Sequence, residues 1–146
     1  MNNDAILGKW IDRVYRQLLH VNKTKIKEFD ISPADYNYFL TIEEYPGCTQ
    51  NFLAKKRMVD KGLVARIVKT YTEKGYIIKK QSLQKKSSYN LFLSDSGKQL
   101  VIDMRKAIET TENYLEEQDG SKNFVDLIDH LKRISMYLEQ QNNNYE

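Results

Sequence analysis

A chain of 146 residues, 40% hydrophobic and 29% charged, is sized for one folded domain, or for one domain carrying dimerisation helices. Mean hydropathy is −0.67, and no stretch approaches the ~18 consecutive apolar residues of a membrane helix, so no membrane partner is expected. The single cysteine, Cys48, excludes an internal disulfide framework, and Met1-Asn2-Asn3-Asp4 lacks the basic and apolar regions of a signal peptide; a reducing cytoplasm is the expected setting.

Residues 4–28 place Ile6, Leu7, Trp10, Ile11, Val14, Leu18, Val21 and Ile26 at spacings of three and four. That spacing predicts a helix, with Asp4 as its N-cap. Ser32 and Pro33 read as the N-cap and first position of a second helix, which Pro46-Gly47 stops after about Tyr45. A short helix is expected from Thr49 to Arg57, with Phe52, Leu53 and Ala54 facing inward. After a turn at Met58 and Val59, Asp60 caps a further helix that carries Leu63, Val64, Ile67, Val68 and Tyr71. Lys74 and Gly75 end it, a basic last turn followed by a C′ glycine.

The period then changes. Tyr76-Ile77-Ile78 and Tyr89-Asn90-Leu91-Phe92-Leu93 predict the two strands of a hairpin around a polar loop near Ser82–Ser88. Ser94 caps the next helix, whose inward stripe is Leu100, Met104, Ala107, Ile108, Thr111 and Leu115. Asp119-Gly120-Ser121 breaks it, and a last helix carries Phe124, Leu127, Ile128, Leu131, Ile134 and Leu138. The polar tail from Gln140 to Glu146 is expected to fray.

Helix, short helix, turn, helix, hairpin is the order of a winged helix-turn-helix. The expected fold is mainly α with a small β-hairpin wing. Residues 31–97 form the winged domain, and residues 1–30 and 98–146 supply flanking dimerisation helices. Two apolar-striped arms are hard to bury on a domain of about 60 residues, which favours packing between two copies in a homodimer.

The net charge of +3 hides an uneven distribution. From Lys55 to Lys86 there are eleven basic residues against two acids, Asp60 and Glu73, while the rest of the chain holds 12 basic and 18 acidic residues. A basic centre between acidic arms is the footprint of a polyanion-binding module. The competing reading is a solvated charged face, common in lysine-rich chains. Charge and motif coincide here. An α-helix fits the major groove of duplex DNA, and lysines and arginines that meet phosphates release counterions.

Pro46-Gly47-Cys48-Thr49-Gln50, Leu53-Ala54, Asp60-Lys61, Val64, Arg66, Ile67-Val68, Lys74-Gly75 and Leu93-Ser94 with Gly97 together resemble the MarR family of bacterial transcription regulators, over nearly the whole chain. The resemblance implies an obligate homodimer, dimerised through the first helix and the last two. It also implies repression of promoters, relieved by a small lipophilic or phenolic effector. The chain departs from the family where bases are read. Ser and Thr are usual at the start of the recognition helix, but Gly62, Leu63 and Ala65 stand there. In the wing, Lys85 and Ser87 replace an Asp and an Arg, so the ion pair that stiffens many wings is absent. A flexible wing weighted toward phosphates is expected, with low specificity or an unusual target.

Lys61 and Arg66 are therefore the candidates for groove contact, with Gly62 and with Leu63 or Ala65 against a thymine methyl. Thr49, Gln50, Lys55, Lys56, Lys69, Lys85, Lys86 and Ser87 are the remaining candidate DNA contacts, chiefly to phosphates. Tyr15, Tyr36 and Phe39 could line an effector pocket, although core packing is the weightier reading for such aromatics. Cys48 reads as a small residue at a turn more readily than as a redox sensor. His20 and His130 are far apart and have no cysteine nearby, so no metal site is expected. No cofactor loop, nucleophile elbow or HExxH pattern is present, so no enzyme is expected. The alternative to a DNA-binding regulator is a winged-helix module for protein interaction, motivated by the small apolar patch at Gly62, Leu63 and Ala65.

Overall fold

The computed structural model describes residues 2–143. In chain order it contains helix α1 (Leu7–Lys25), α2 (Tyr36–Glu44), α3 (Gln50–Arg57), α4 (Lys61–Glu73), strands β1 (Ile77–Gln81) and β2 (Tyr89–Leu93), then α5 (Asp95–Asp119) and α6 (Ser121–Asn143). The mainly α winged helix-turn-helix expected from the sequence is the fold observed. The chain divides into two compact units, Met1–Ile108 and Glu109–Glu146.

Local chemistry sets most boundaries. Thr49 caps α3 by accepting from the Phe52 amide, and Asp60 caps α4 by accepting from the Leu63 amide at 2.8 Å. Gly75 ends α4 at φ +81, with its amide on the Thr72 carbonyl and the Tyr76 amide on that of Tyr71. That is a Schellman closure, and it needs a left-handed residue. The same closure ends α3, but there the left-handed residue is Met58 at φ 53. A non-glycine residue in that conformation costs about 1–2 kcal/mol.

Several expectations are corrected. Asp4 does not cap α1; it lies in a short 3-10 turn and pairs with Lys9, while Ile6 precedes α1 without a side-chain cap. The segment from Pro33 to Asp35 is a turn closed by the Asp35 amide on the Ser32 carbonyl, so α2 begins only at Tyr36. Phe52 is 39% exposed rather than inward, because it lies against the Tyr45 ring at 5.1 Å. β1 runs on through Lys79, Lys80 and Gln81, since ladder pairing with β2 outweighs the polar side chains. Residues 140–143 are helical, and the end of the expected frayed tail lies outside the described residues.

The core of the first unit is built from Ile26, Phe39, Ile42, Leu53, Val64, Val68, Leu91, Val101 and Met104, each 2% exposed or less. The Phe39 ring meets Tyr71 edge-on at 5.0 Å and Tyr76 at 6.3 Å. The Tyr71 hydroxyl donates to Asp35 Oδ2 at 2.7 Å, which ties α4 to the start of α2. Leu100, Val101 and Met104 belong to this same core, so α5 begins by closing the winged domain.

β1 and β2 are antiparallel, with Ile77 opposite Leu93 and Gln81 opposite Tyr89. Cys48 adds one bridge on the other side of β2: the Leu91 amide donates to the Cys48 carbonyl, and the Gly47 amide to the Leu91 carbonyl, both at 2.8 Å. The return from the hairpin is tighter still. The Ser94 amide donates to the Tyr76 carbonyl, its hydroxyl donates to the Gly75 carbonyl at 2.6 Å, and the Gly97 amide donates to that hydroxyl. A Cβ on Gly97 would lie 2.2 Å from the Tyr76 carbonyl oxygen. The obstacle is backbone, so the clash has no cheap relief. Gly97→Ala should therefore lower stability by about 2–3 kcal/mol, read from the urea midpoint. An unchanged midpoint would show that the joint yields.

Candidate nucleic-acid interface

α4 is two-faced. Val64, Ile67, Val68 and Tyr71 are buried, while Lys61, Gly62, Ala65, Arg66 and Lys69 are exposed. The exposed residues recur at spacings of three to five, so they share one side of the helix. Leu63 is half-buried and packs against the core. The exposed apolar surface near the start of α4 is thus Gly62 and Ala65, a small patch between three cations. Asp60 is held by its capping bond, and the amide end of the helix adds partial positive charge beside Lys61.

Several basic residues of the central segment are engaged by neighbouring side chains. The Arg57 guanidinium lies over the Tyr38 ring at 5.2 Å. Lys74 pairs with Asp30 at 2.9 Å. Lys79 and Lys80 lie over Tyr89 and Phe92, at 4.8 and 5.1 Å, and Lys56 lies over Tyr45 at 5.4 Å. Lys61, Arg66, Lys69, Lys85 and Lys86 are exposed and have no side-chain partner among the described residues. These five cations divide between the face of α4 and the wing. Thr49 and Gln50 stand at the start of α3, half-exposed, with Lys55 and Lys56 on its outer side. Counting charges in the sequence could not make this division, because it depends on which rings and acids lie within reach.

The wing loop lacks the side-chain ion pair but closes on other bonds. The Ser82 amide donates to the Ser88 carbonyl, the Ser88 amide to the Lys85 carbonyl, and Gln81 Nε2 to the Lys86 carbonyl. Ser82 Oγ accepts from the amides of Gln84 and Lys85. Lys85, Lys86 and Ser87 are all exposed. So is Leu83, which the charge pattern does not single out; its signal in the sequence is a lone apolar residue inside a polar loop.

The three aromatics expected at an effector pocket part company. Phe39 is fully enclosed and Tyr36 is buried beside Arg105, whereas Tyr15 is exposed on α1. Burial pushes the Tyr36 hydroxyl above its ordinary range, with Arg105 opposing. An open cleft of about 410 Å³ lies elsewhere, lined by Lys23, Ile26, Phe29, Pro33, Tyr71 and Lys74. His130 accepts or shares a contact with Arg133 at 3.0 Å. Among the described residues no three His, Cys, Asp or Glu side chains gather as a metal site would require.

Burial also pushes the Cys48 thiol up from its usual range, the opposite of an activated thiolate. At neutral pH, iodoacetamide should modify Cys48 more slowly than a free cysteine. The rate should climb only at a pH above that at which an ordinary thiol ionises. Faster modification than a free thiol would overturn the structural role.

The profile of the MarR family matches residues 31–86. The chain is 30% identical over 96 residues to an uncharacterised HTH-type transcriptional regulator, YybA, of Bacillus subtilis, covering 66% of this chain and 64% of that relative's length. It is similar to the crystal structure of MarR, with a TM-score of 0.88 at 21% identity over 99% of this chain and 98% of that one. It is also similar to the transcriptional repressor CouR bound to a 23-mer DNA duplex, with a TM-score of 0.80 at 20% identity, covering 90% and 94% of the two chains.

Proposed function

We propose that the chain, whose residues 31–86 match the MarR-family profile, is a DNA-binding transcription regulator of that family rather than an enzyme. The observation that carries this reading is the outer face of α4, where Lys61, Arg66 and Lys69 are exposed and unpaired around Gly62 and Ala65. A helix of this kind fits the major groove. Arg66 reads a guanine edge, and Ala65 meets a thymine methyl. Lys85 and Lys86 in the wing meet phosphates, as do Lys55, Lys56 and Lys69, with Thr49 and Gln50 at the α3 N-terminus. A transcription regulator works where the chromosome is, so the reading implies the cytoplasm.

Repression by occupying a promoter is the mode we favour, on the likeness to CouR, described as a transcriptional repressor. Relief by a small lipophilic or phenolic ligand belongs to the same reading. The open cleft, lined by Ile26, Phe29 and Pro33 together with Lys23, Lys27, Asp30 and Lys74, is the place we assign to it, since Phe39 is enclosed.

A homodimer is the expected assembly. α1 and α6 contain no buried residue, and Trp10, Ile11, Val14, Leu127, Leu131 and Leu138 are each at least 38% exposed. Such stripes are normally covered. A two-fold dimer would present two α4 helices to a pseudo-palindromic site. Sedimentation equilibrium should give twice the chain mass. Leu131→Asp should weaken the dimer by about tenfold or more, and a monomeric wild type would end this part of the proposal.

Selection from a random duplex pool at two salt concentrations tests DNA reading directly. Arg66→Ala should cost ~1–3 kcal/mol and relax specificity at one position. Lys86→Ala should weaken all sequences alike and reduce the salt slope by about one. Equal weakening of every sequence by Arg66→Ala would remove it as a base reader. No binding to any duplex at low salt would favour the protein-interaction reading instead.

A further inference from the structure

Leu83 is 104% exposed, more than any other large apolar side chain described. It does not hang from a loose loop. The Ser82 hydroxyl accepts from the two amides that follow Leu83, those of Gln84 and Lys85, and the Ser82 amide closes the loop on the Ser88 carbonyl at 2.9 Å. The short turn so formed holds Leu83 out at the wing tip. Around it the chemistry is cationic. Lys85 and Lys86 follow in the same loop, exposed and unpaired among the described residues. Lys79 and Lys80 are instead anchored over aromatic rings further down the hairpin. A leucine fully in water at a fixed point, beside two free cations, has apolar surface to bury only if a partner covers it, and that partner must be anionic.

The geometry points to Leu83 as an apolar wedge that enters a base step of duplex DNA from the minor groove, while Lys85 and Lys86 hold the phosphates on either side. The assignment rests on the DNA-binding reading above. With α4 in the major groove, the hairpin beside it reaches the next groove along the duplex. Apolar side chains inserted there unstack a step and bend the helix. Pyrimidine–purine steps, TA above all, open at least cost. The wing would then add specificity by deformation rather than by hydrogen bonds, at a position separate from that read by α4. This suits a recognition helix with few polar side chains.

Duplexes with a randomised core, retained by the full chain at low salt, are treated with permanganate, which oxidises unstacked thymines, and are then sequenced. In the wild-type complex, thymines of TA steps at a fixed distance from the retained motif should become hyper-reactive. Leu83→Ala should abolish that signal and lose about tenfold in affinity for TA-bearing duplexes. It should leave the salt slope and the melting temperature unchanged, because the side chain touches nothing in the fold. Leu83→Met should keep the signal, whereas Leu83→Lys should steepen the salt slope without restoring it. Retention without enhanced thymine reactivity, or the same reactivity in Leu83→Ala, overturns the wedge and leaves the DNA reading standing. Failure of the wild type to retain any duplex removes both. Leu83-dependent binding to phosphatidylglycerol vesicles, with DNA reactivity unaffected, would overturn the wedge in favour of a membrane contact.

Discussion

Three elements of this protein meet within a hydrogen bond of one another. The close of α4 at Gly75, the start of β1 after Tyr76 and the start of α5 at Ser94 meet in one joint, where Gly97 lies against the Tyr76 carbonyl. Only a residue without a Cβ allows that approach. The joint fixes where α4 ends, where the wing departs and where the chain returns to the core. The direction of the wing relative to α4 follows from it. An interaction among backbone groups thus sets the spacing between the exposed face of α4 and the wing.

The remaining architecture serves to hold α4 with one face out. Tyr71 reaches Asp35, Phe39 packs edge-on against Tyr71, and Leu53 and Ala54 brace the helix from α3. The turn between α3 and α4 keeps a left-handed methionine where glycine would fit more easily. Cys48 is part of the same bracing. It joins the start of α3 to the centre of β2, and its burial disfavours the thiolate. The turn residue read from the sequence is a strut in the fold.

Charge is divided among three duties. Lys74 pairs with Asp30 at the surface, while Lys56, Arg57, Lys79 and Lys80 rest on aromatic rings. Lys61, Arg66, Lys69, Lys85 and Lys86 face outward without partners among the described residues. The division explains how a chain with few polar groups on the outer face of α4 can still present a concentrated positive surface there. Cations alone give affinity without sequence preference, so in the proposed reading selectivity rests on Arg66, on the small patch at Gly62 and Ala65, and on the wing tip.

The amino-acid sequence by itself determined the element order, the caps at Asp60 and Ser94, the breaks at Gly47, Gly75 and Gly120, and the second strand of the wing. These follow from local rules of period, capping and left-handed backbone that act within a few residues. It also showed the basic centre, because charge is a sum. Tertiary structure decided the rest. β1 runs into lysines because β2 pairs with it. Phe52 turns outward because Tyr45 receives it, and Phe39 is closed into the core instead of lining a pocket. Leu63 packs inward while Ala65 stays out. Leu83, unremarked among polar neighbours, stands clear at the wing tip. Each of these depends on which distant residue arrives beside it, and a linear pattern carries no record of that.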